Sequence, residues 1–166
     1  MNVKGVMAIG LVLLFVFMVI FYKTGPCYAF SYRIDNWKEE SRHTTDAACT
    51  ITYKKGDTPA YITVKYGPMA VSDEKYLKQY YSEFAQEDFY PISSLEDVKI
   101  NGISAISITT IHDSLYGPEF IAKQKIVIIP DGGMQLTVKL SGFPERIYDS
   151  SLRDFDESLK SIEFKK

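Results

Sequence analysis

Two histidines, two cysteines and a scatter of serines and carboxylates are the raw material for any chemistry in this chain. His43 sits in the polar run Ser41-Arg42-His43-Thr44, and His112 stands beside Asp113. Neither belongs to a His-x3-His or Cys-x2-Cys pair, the kind of spacing that puts two ligands on one metal, so no structural zinc site is expected. A metal at His112 and Asp113 would need ligands from distant residues, and a solvated strand end is the expected reading. Nucleophilic catalysis needs a base beside the nucleophile. No Gly-x-Ser-x-Gly elbow occurs, and no serine or cysteine stands in an active-site context. Asp131-Gly132-Gly133 is glycine-rich, but it joins two strand-like runs and opens no helix. It reads as a hairpin turn rather than a phosphate cradle. The acidic groups Asp154/Asp156/Glu157 and Glu96/Asp97 lack the calcium-loop spacing and read as solvated faces. The expectation is a non-enzyme with no catalytic residue, metal or cofactor.

What remains are candidates for structure and binding. Cys27 and Cys49 can pair if the body is exported to an oxidising compartment. Cys27 precedes the first expected strand and Cys49 lies in the second, so a hairpin of those strands would bring them face to face. Two unpaired thiols, with Cys49 a small core residue, is the competing reading, and both stand. Ser114-Leu115-Tyr116-Gly117-Pro118 puts Leu115 and Tyr116 on a loop tip. Exposed aromatics on a loop can contact a partner; the alternative is Tyr116 folded back on the sheet edge.

The compartment depends on the N-terminus. Residues 5–22 carry no charge and no Asn, Gln, Ser or Thr. A helix of that length spans about 27 Å, close to a hydrocarbon core of about 30 Å. Secretory apolar regions are usually shorter, about 7–15 residues, so length favours a retained transmembrane helix or uncleaved signal anchor. Cleavage after Ala29, following Cys27-Tyr28-Ala29, is the alternative, and it would release a secreted body. Pro26 before Cys27 argues against a lipoprotein signal. Lys4 and the terminal amine face Lys23, Arg33 and Lys38 across the segment, a mild charge lean the wrong way. The short basic lead before a first apolar segment nevertheless sets the expectation of an extracytoplasmic body.

The chain divides into a tail (1–4), the apolar segment (5–22), a linker (23–28) and one domain (29–166). Without Lys4 and Lys23 the body holds 17 basic against 21 acidic residues, a net charge of −4. It has no long basic run, so nucleic acid is not an expected partner.

Within the domain, Phe30, Tyr32 and Ile34 alternate over residues 29–34, and strands are expected again over 46–54 and 61–66. Asp35-Asn36-Trp37 reads as a turn, and Gly67-Pro68 as a break. Ser72, as N-cap, opens an amphipathic helix over about 72–87. A strand over 89–100, interrupted near Pro91, meets its partner over 103–111 through Asn101-Gly102, the strongest hairpin signal in the chain. Residues 113–118 form a loop. The strand over 120–129 contains Ile126-Val127-Ile128-Ile129 without alternation, so both its faces must be covered. Residues 134–140 alternate cleanly, a helix runs over about 145–162, and Glu163-Phe164 extends as a short strand. Short turns between consecutive strands imply an antiparallel sheet. The expected fold is α+β, a sheet of about six to seven strands sandwiched between helices (α/β/α), preceded by one transmembrane helix.

This order of elements resembles the PsbP-like family, which includes photosystem PsbP proteins, bacterial relatives and Mog-type Ran-binding proteins. The resemblance rests on "AFSYRIDNW", "SDEKYLKQYYSEF", "VKINGISAISITT", "KQKIVIIPDGGMQLTVKLSG" and "FPERIYDSSLRDFDESLKSIEF". It covers nearly all of residues 29–166 and implies a mostly non-enzymatic role in binding partners or stabilising assemblies. Bacterial relatives resemble one another in carrying a signal peptide or N-terminal anchor. The expected function is a membrane-anchored, extracytoplasmic interaction or assembly module. Its partners would be the membrane, through residues 5–22, and a membrane-proximal protein. A small-ligand or lipid-binding envelope protein is the alternative, and an enzyme with an unrecognised site stands third.

Overall fold

Alternating apolar residues and glycine-bearing turns fold most of the chain into strands. The computed structural model describes residues 25–71, 78–80, 92–112 and 122–165. In chain order the strands are β1 (Phe30–Ser31), β2 (Lys38–Thr44), β3 (Cys49–Lys54), β4 (Ala60–Pro68), β5 (Ile92–Ile100), β6 (Ile103–His112), β7 (Ala122–Asp131) and β8 (Met134–Gly142). Helix α1 (Glu145–Leu159) follows, then β9 (Glu163–Phe164). Seven strands form one antiparallel sheet in the order β2-β3-β4-β8-β7-β6-β5, and β1 pairs with β9 as a separate two-stranded ribbon.

Two tight turns set the register of the sheet. Asn101 and Gly102 have φ of 52° and 84°, and Gly132 and Gly133 have 54° and 89°. Both central residues of a two-residue hairpin loop must be left-handed to match strand twist, a conformation Gly and Asn tolerate best. The centre of the sheet is a block of in-register apolar pairs, with Val64 opposite Val138, Ile62 opposite Leu140, and Val127 opposite Val138 on its other side. Phe155, Leu159 and Tyr148 of α1 pack onto this face with Ile162, and Phe155 is fully buried. Their spacing is the 3.6-residue period of a helix with one apolar stripe. The unalternating run of β7 is covered on both sides. Val127 and Ile129 join the helix-side core, while Ile128 joins Ile106 and Ile108 in a second cluster with Met69, Val71, Leu95 and Ile126.

Several expectations change. The first strand is two residues long, because after Ser31 the chain turns to bond the end of α1: Arg33 N donates to Ser161 Oγ at 2.8 Å, and Tyr32 Oη meets Ser158 Oγ at 2.7 Å. β1 therefore does not form a hairpin with β3. The sequence reading missed β2, whose seven residues are all exposed and show no alternation. Main-chain pairing to β3 holds it at the sheet edge, where charged residues are the usual protection. β4 runs through Gly67 to Pro68 instead of breaking. β3 has ended by then, its Cys49 opposite Tyr66, so Pro68 has no neighbour on that side to miss its absent N–H. Helix α1 ends three residues early, and tight 3-10-type bonds such as Ile162 N to Leu159 O carry the chain onward.

The helix expected over 72–87 lies outside the described residues except at 78–80, which are helical. A helix on the second face therefore stays an expectation. The start of the strand at 89–91, the loop over 113–118 and the apolar segment 5–22 also lie outside the described residues. Among the described residues no helix is long and apolar enough to cross a membrane.

Two substitutions under α1 test this packing by urea denaturation. A Cβ on Gly142 would come within 2.6 Å of the backbone N and Cα of Tyr148, so Gly142→Ala is expected to cost about 2–3 kcal/mol. Among the described residues the buried Ser151 Oγ has no hydrogen-bond partner, so Ser151→Ala is expected to be neutral or stabilising by up to about 1 kcal/mol.

Candidate functional site

A covalent staple and two hollows lie where α1 leaves the sheet uncovered. The staple joins Cys27 to Cys49 across a sequence separation of 22, with Cα atoms 5.1 Å apart. Gly25-Pro26 starts a single 3-10 turn over Pro26–Tyr28, closed by Tyr28 N to Gly25 O at 2.9 Å. Proline suits the first position of such a turn because its φ is already set and its missing N–H is not needed there. The turn carries Cys27 over β3, where Cys49 is fully buried. The geometry differs from the expected hairpin: Cys27 comes in on a turn above the sheet.

Beside the staple lies a cleft of about 830 Å³, lined by Pro26, Tyr28, Ala47, Tyr66, Pro68 and Met134, with Lys165 at its edge. Its volume falls in the roughly 300–1,000 Å³ range of ligand sites, and its walls are largely apolar. Tyr66 anchors its floor by donating to Asp131 Oδ2 at 2.8 Å. Burial, and then the Asp131 carboxylate, push the Tyr66 hydroxyl up to about 12, so it is a fixed neutral donor at physiological pH. The first and last described segments meet here, since Lys165 N bonds Ala29 O at 2.8 Å and the Lys165 ammonium lies 6.0 Å from the Tyr28 ring centre.

A second hollow, about 240 Å³, opens on the other flank between α1 and β5, β6 and β7. Val98, Ile100, Val127 and Leu159 form its apolar walls, with Ser107 and the ion pair of Lys125 and Asp156 at 2.8 Å.

The acidic residues of α1 are not simply solvated. Asp154 binds Lys55 at 2.7 Å and accepts from Trp37 Nε1 at 3.1 Å, and Asp156 reaches Lys125. They tie the helix to both flanks of the sheet. Burial works against ionisation of Asp154, yet the bonds from Lys55 and Trp37 together hold its carboxyl below the usual range. Arg153 and Glu157 pair along the helix surface at 3.0 Å. Glu96 and Asp97 are exposed on β5, and Asp97 pairs with Lys78.

His43 is exposed on β2 opposite Thr50, whereas His112 ends β6 near the other edge of the sheet. The structure does not bring them together. Among the described residues no three His, Cys, Asp or Glu side chains are grouped to hold a metal. Leu115 and Tyr116 lie outside the described residues. Neither hollow was visible in the sequence, because each is made by residues from segments far apart in the chain.

No family model and no curated protein sequence matches the chain. Solved structures do. The Ran-binding protein Mog1p of Saccharomyces cerevisiae superposes with a TM-score of 0.56 at 11% identity, over 83% of this chain and 91% of that one. LpqN of Mycobacterium tuberculosis, involved in cell envelope biogenesis, gives 0.56 at 14%, over 82% and 83%. Cyanobacterial PsbP from Synechocystis sp. PCC 6803 gives 0.52 at 10%, over 82% and 87%. A longer Bacteroides thetaiotaomicron protein gives 0.58 at 12% over 85% of this chain, which spans about half its length (47%). The chain has the fold shared by PsbP and Mog1p, as its element order implied.

Because the Asp154 carboxyl is held below its ordinary value, its contribution to stability is present above about pH 4 and is lost as pH falls through the folded value. Asp154→Asn is expected to lower the urea midpoint at pH 7. The gap to the unsubstituted protein should close as pH falls below about 4.

Proposed function

We propose that this chain is a membrane-tethered, extracytoplasmic, non-catalytic interaction module acting as an accessory or assembly factor for a membrane-proximal protein. The observation that carries this reading is the staple next to the cleft. Residues 5–22 are long enough to cross a bilayer, and only Lys23 to Pro26 separate them from Cys27, which is bonded to β3. Five residues from Tyr22 to Cys27 reach at most roughly 18 Å. With residues 5–22 in a bilayer, the body would be held against the membrane with the Tyr28–Met134 cleft at its near end.

Three further points support the reading. A disulfide suits an oxidising compartment rather than the cytosol. Cleavage after Ala29 would remove Cys27 and the Pro26–Tyr28 turn, discarding the staple and one wall of the cleft. Structures of this fold include a Ran-binding protein and a protein involved in cell envelope biogenesis, which favours a binding or accessory role.

The test combines intact mass, alkylation and crosslinking on protein from its native membrane fraction. The expected result is a mass starting at or near Met1, thiols that alkylate only after reduction, and capture of an integral membrane protein by a photocrosslinker at Met134. A mass starting at Phe30, freely alkylating thiols or capture of cytosolic proteins alone would each overturn the reading.

A further inference from the structure

The hollow between α1 and the β5–β6 hairpin has features that a packing defect lacks. Protein interiors are close-packed, and a gap this large ordinarily collapses. Here two struts keep it open. At one end the Asn101 side chain donates to Lys160 O at 3.1 Å and Ile162 O at 2.8 Å, fastening the hairpin turn to the end of α1. At the other, Lys125 on β7 pairs with Asp156 on α1. Between the struts β6 contributes only the small Ser107, itself buried, in a wall otherwise made by Val98, Ile100, Val127 and Leu159.

We propose that this hollow is a binding site for a small amphipathic carboxylate, with the alkyl part against Val98, Ile100, Val127 and Leu159 and the carboxylate at Lys125 and Ser107. The volume of about 240 Å³ holds a molecule of about eight non-hydrogen atoms, at roughly 30 Å³ each. Charge selects the head group. Three lysines line the hollow, Lys99, Lys125 and Lys160, against the single carboxylate of Asp156, in a chain whose net charge is −2. Lys125 uses one of its three N–H donors on Asp156, and Ser107 adds a hydroxyl. The carbonyls at the end of α1 would repel an anion if bare. Asn101 occupies those of Lys160 and Ile162, and Ser161 N occupies that of Ser158 at 3.0 Å. The site lies on the flank away from the staple, so it is independent of the tethered-module reading.

The test is NMR of the full-length chain, labelled at Val, Ile and Leu methyls, titrated with hexanoate, hexylamine and hexan-1-ol. Hexanoate is expected to shift Val98, Ile100, Val127 and Leu159 and to bind at least about tenfold more tightly than hexylamine, a difference of about 1.4 kcal/mol. Ser107→Leu fills the hollow and should abolish these shifts. Lys125→Gln removes the cation but keeps a side chain that can donate to Asp156. It should bring hexanoate affinity down to that of hexan-1-ol measured on the same variant, keeping the test sound if Ser107→Leu fails to fold. Shifts confined to methyls outside the hollow, equal binding of all three probes, or no shifts at millimolar hexanoate would each overturn the proposal.

Discussion

Among the described residues α1 alone has the large sheet's seven strands to cover, and much of the structure follows from that mismatch. Strands sit about 4.8 Å apart, so seven of them span roughly 29 Å, whereas a helix with its side chains is about 10–12 Å wide. Helix α1 lies on β8, β7 and β4, the middle of the sheet, and leaves a flank exposed on either side. On the β3 flank the segments that flank the large sheet in sequence, β1 and β9, do the covering. The β1–β9 ribbon stacks Phe30 and Phe164 on Tyr66, with ring centres 5.7 Å and 6.4 Å away, and Trp37 covers the far end of β3 beside Lys55 and Asp154. On the β5–β6 flank no such layer is present among the described residues, and a hollow remains.

The ion pairs of α1 are best understood as consequences of this arrangement. Exposed pairs contribute little on average, about 0–1 kcal/mol each. Lys55–Asp154 and Lys125–Asp156 nevertheless fix where the helix sits across the sheet, one pulling toward β3 and the other toward β7. Lys123 pairs with Glu145 near the helix start, so the polar edges of α1 are tied down along its length. Positioning of this kind favours a rigid scaffold with surfaces between its layers.

The disulfide gives the covering of the β3 flank a consequence beyond stability. Closing a loop of this size restricts the unfolded chain, an effect of about 3 kcal/mol by loop-entropy estimates. It also fixes where the polypeptide enters the domain. Gly25, the first described residue, lines the cleft with Tyr28, Pro68 and Met134. The first described residues and the cleft therefore share one place on the surface.

Local rules made much of this protein legible in its sequence. Asn101-Gly102 and Gly132-Gly133 demand left-handed turns, the Ile126–Ile129 run demands cover on both faces, and the apolar stripe through Phe155 demands a helix, because each depends only on neighbouring residues. The strand Lys38–Thr44 was illegible for the same reason: its side chains are all exposed and its place comes from main-chain pairing to β3. Cys27 and Cys49 were visible as a pair of possibilities, but their geometry depended on a turn crossing above the sheet rather than on a hairpin. Asn101 read as a turn residue, and nothing local announced that its side chain would also fasten the turn to the end of α1. Sequence alone determined the elements, their turns and their buried faces, since period and backbone propensity act over a few residues. Tertiary structure decided which flanks stayed open, which charges became struts and where the hollows formed, since those depend on residues far apart in the chain meeting across layers of fixed width.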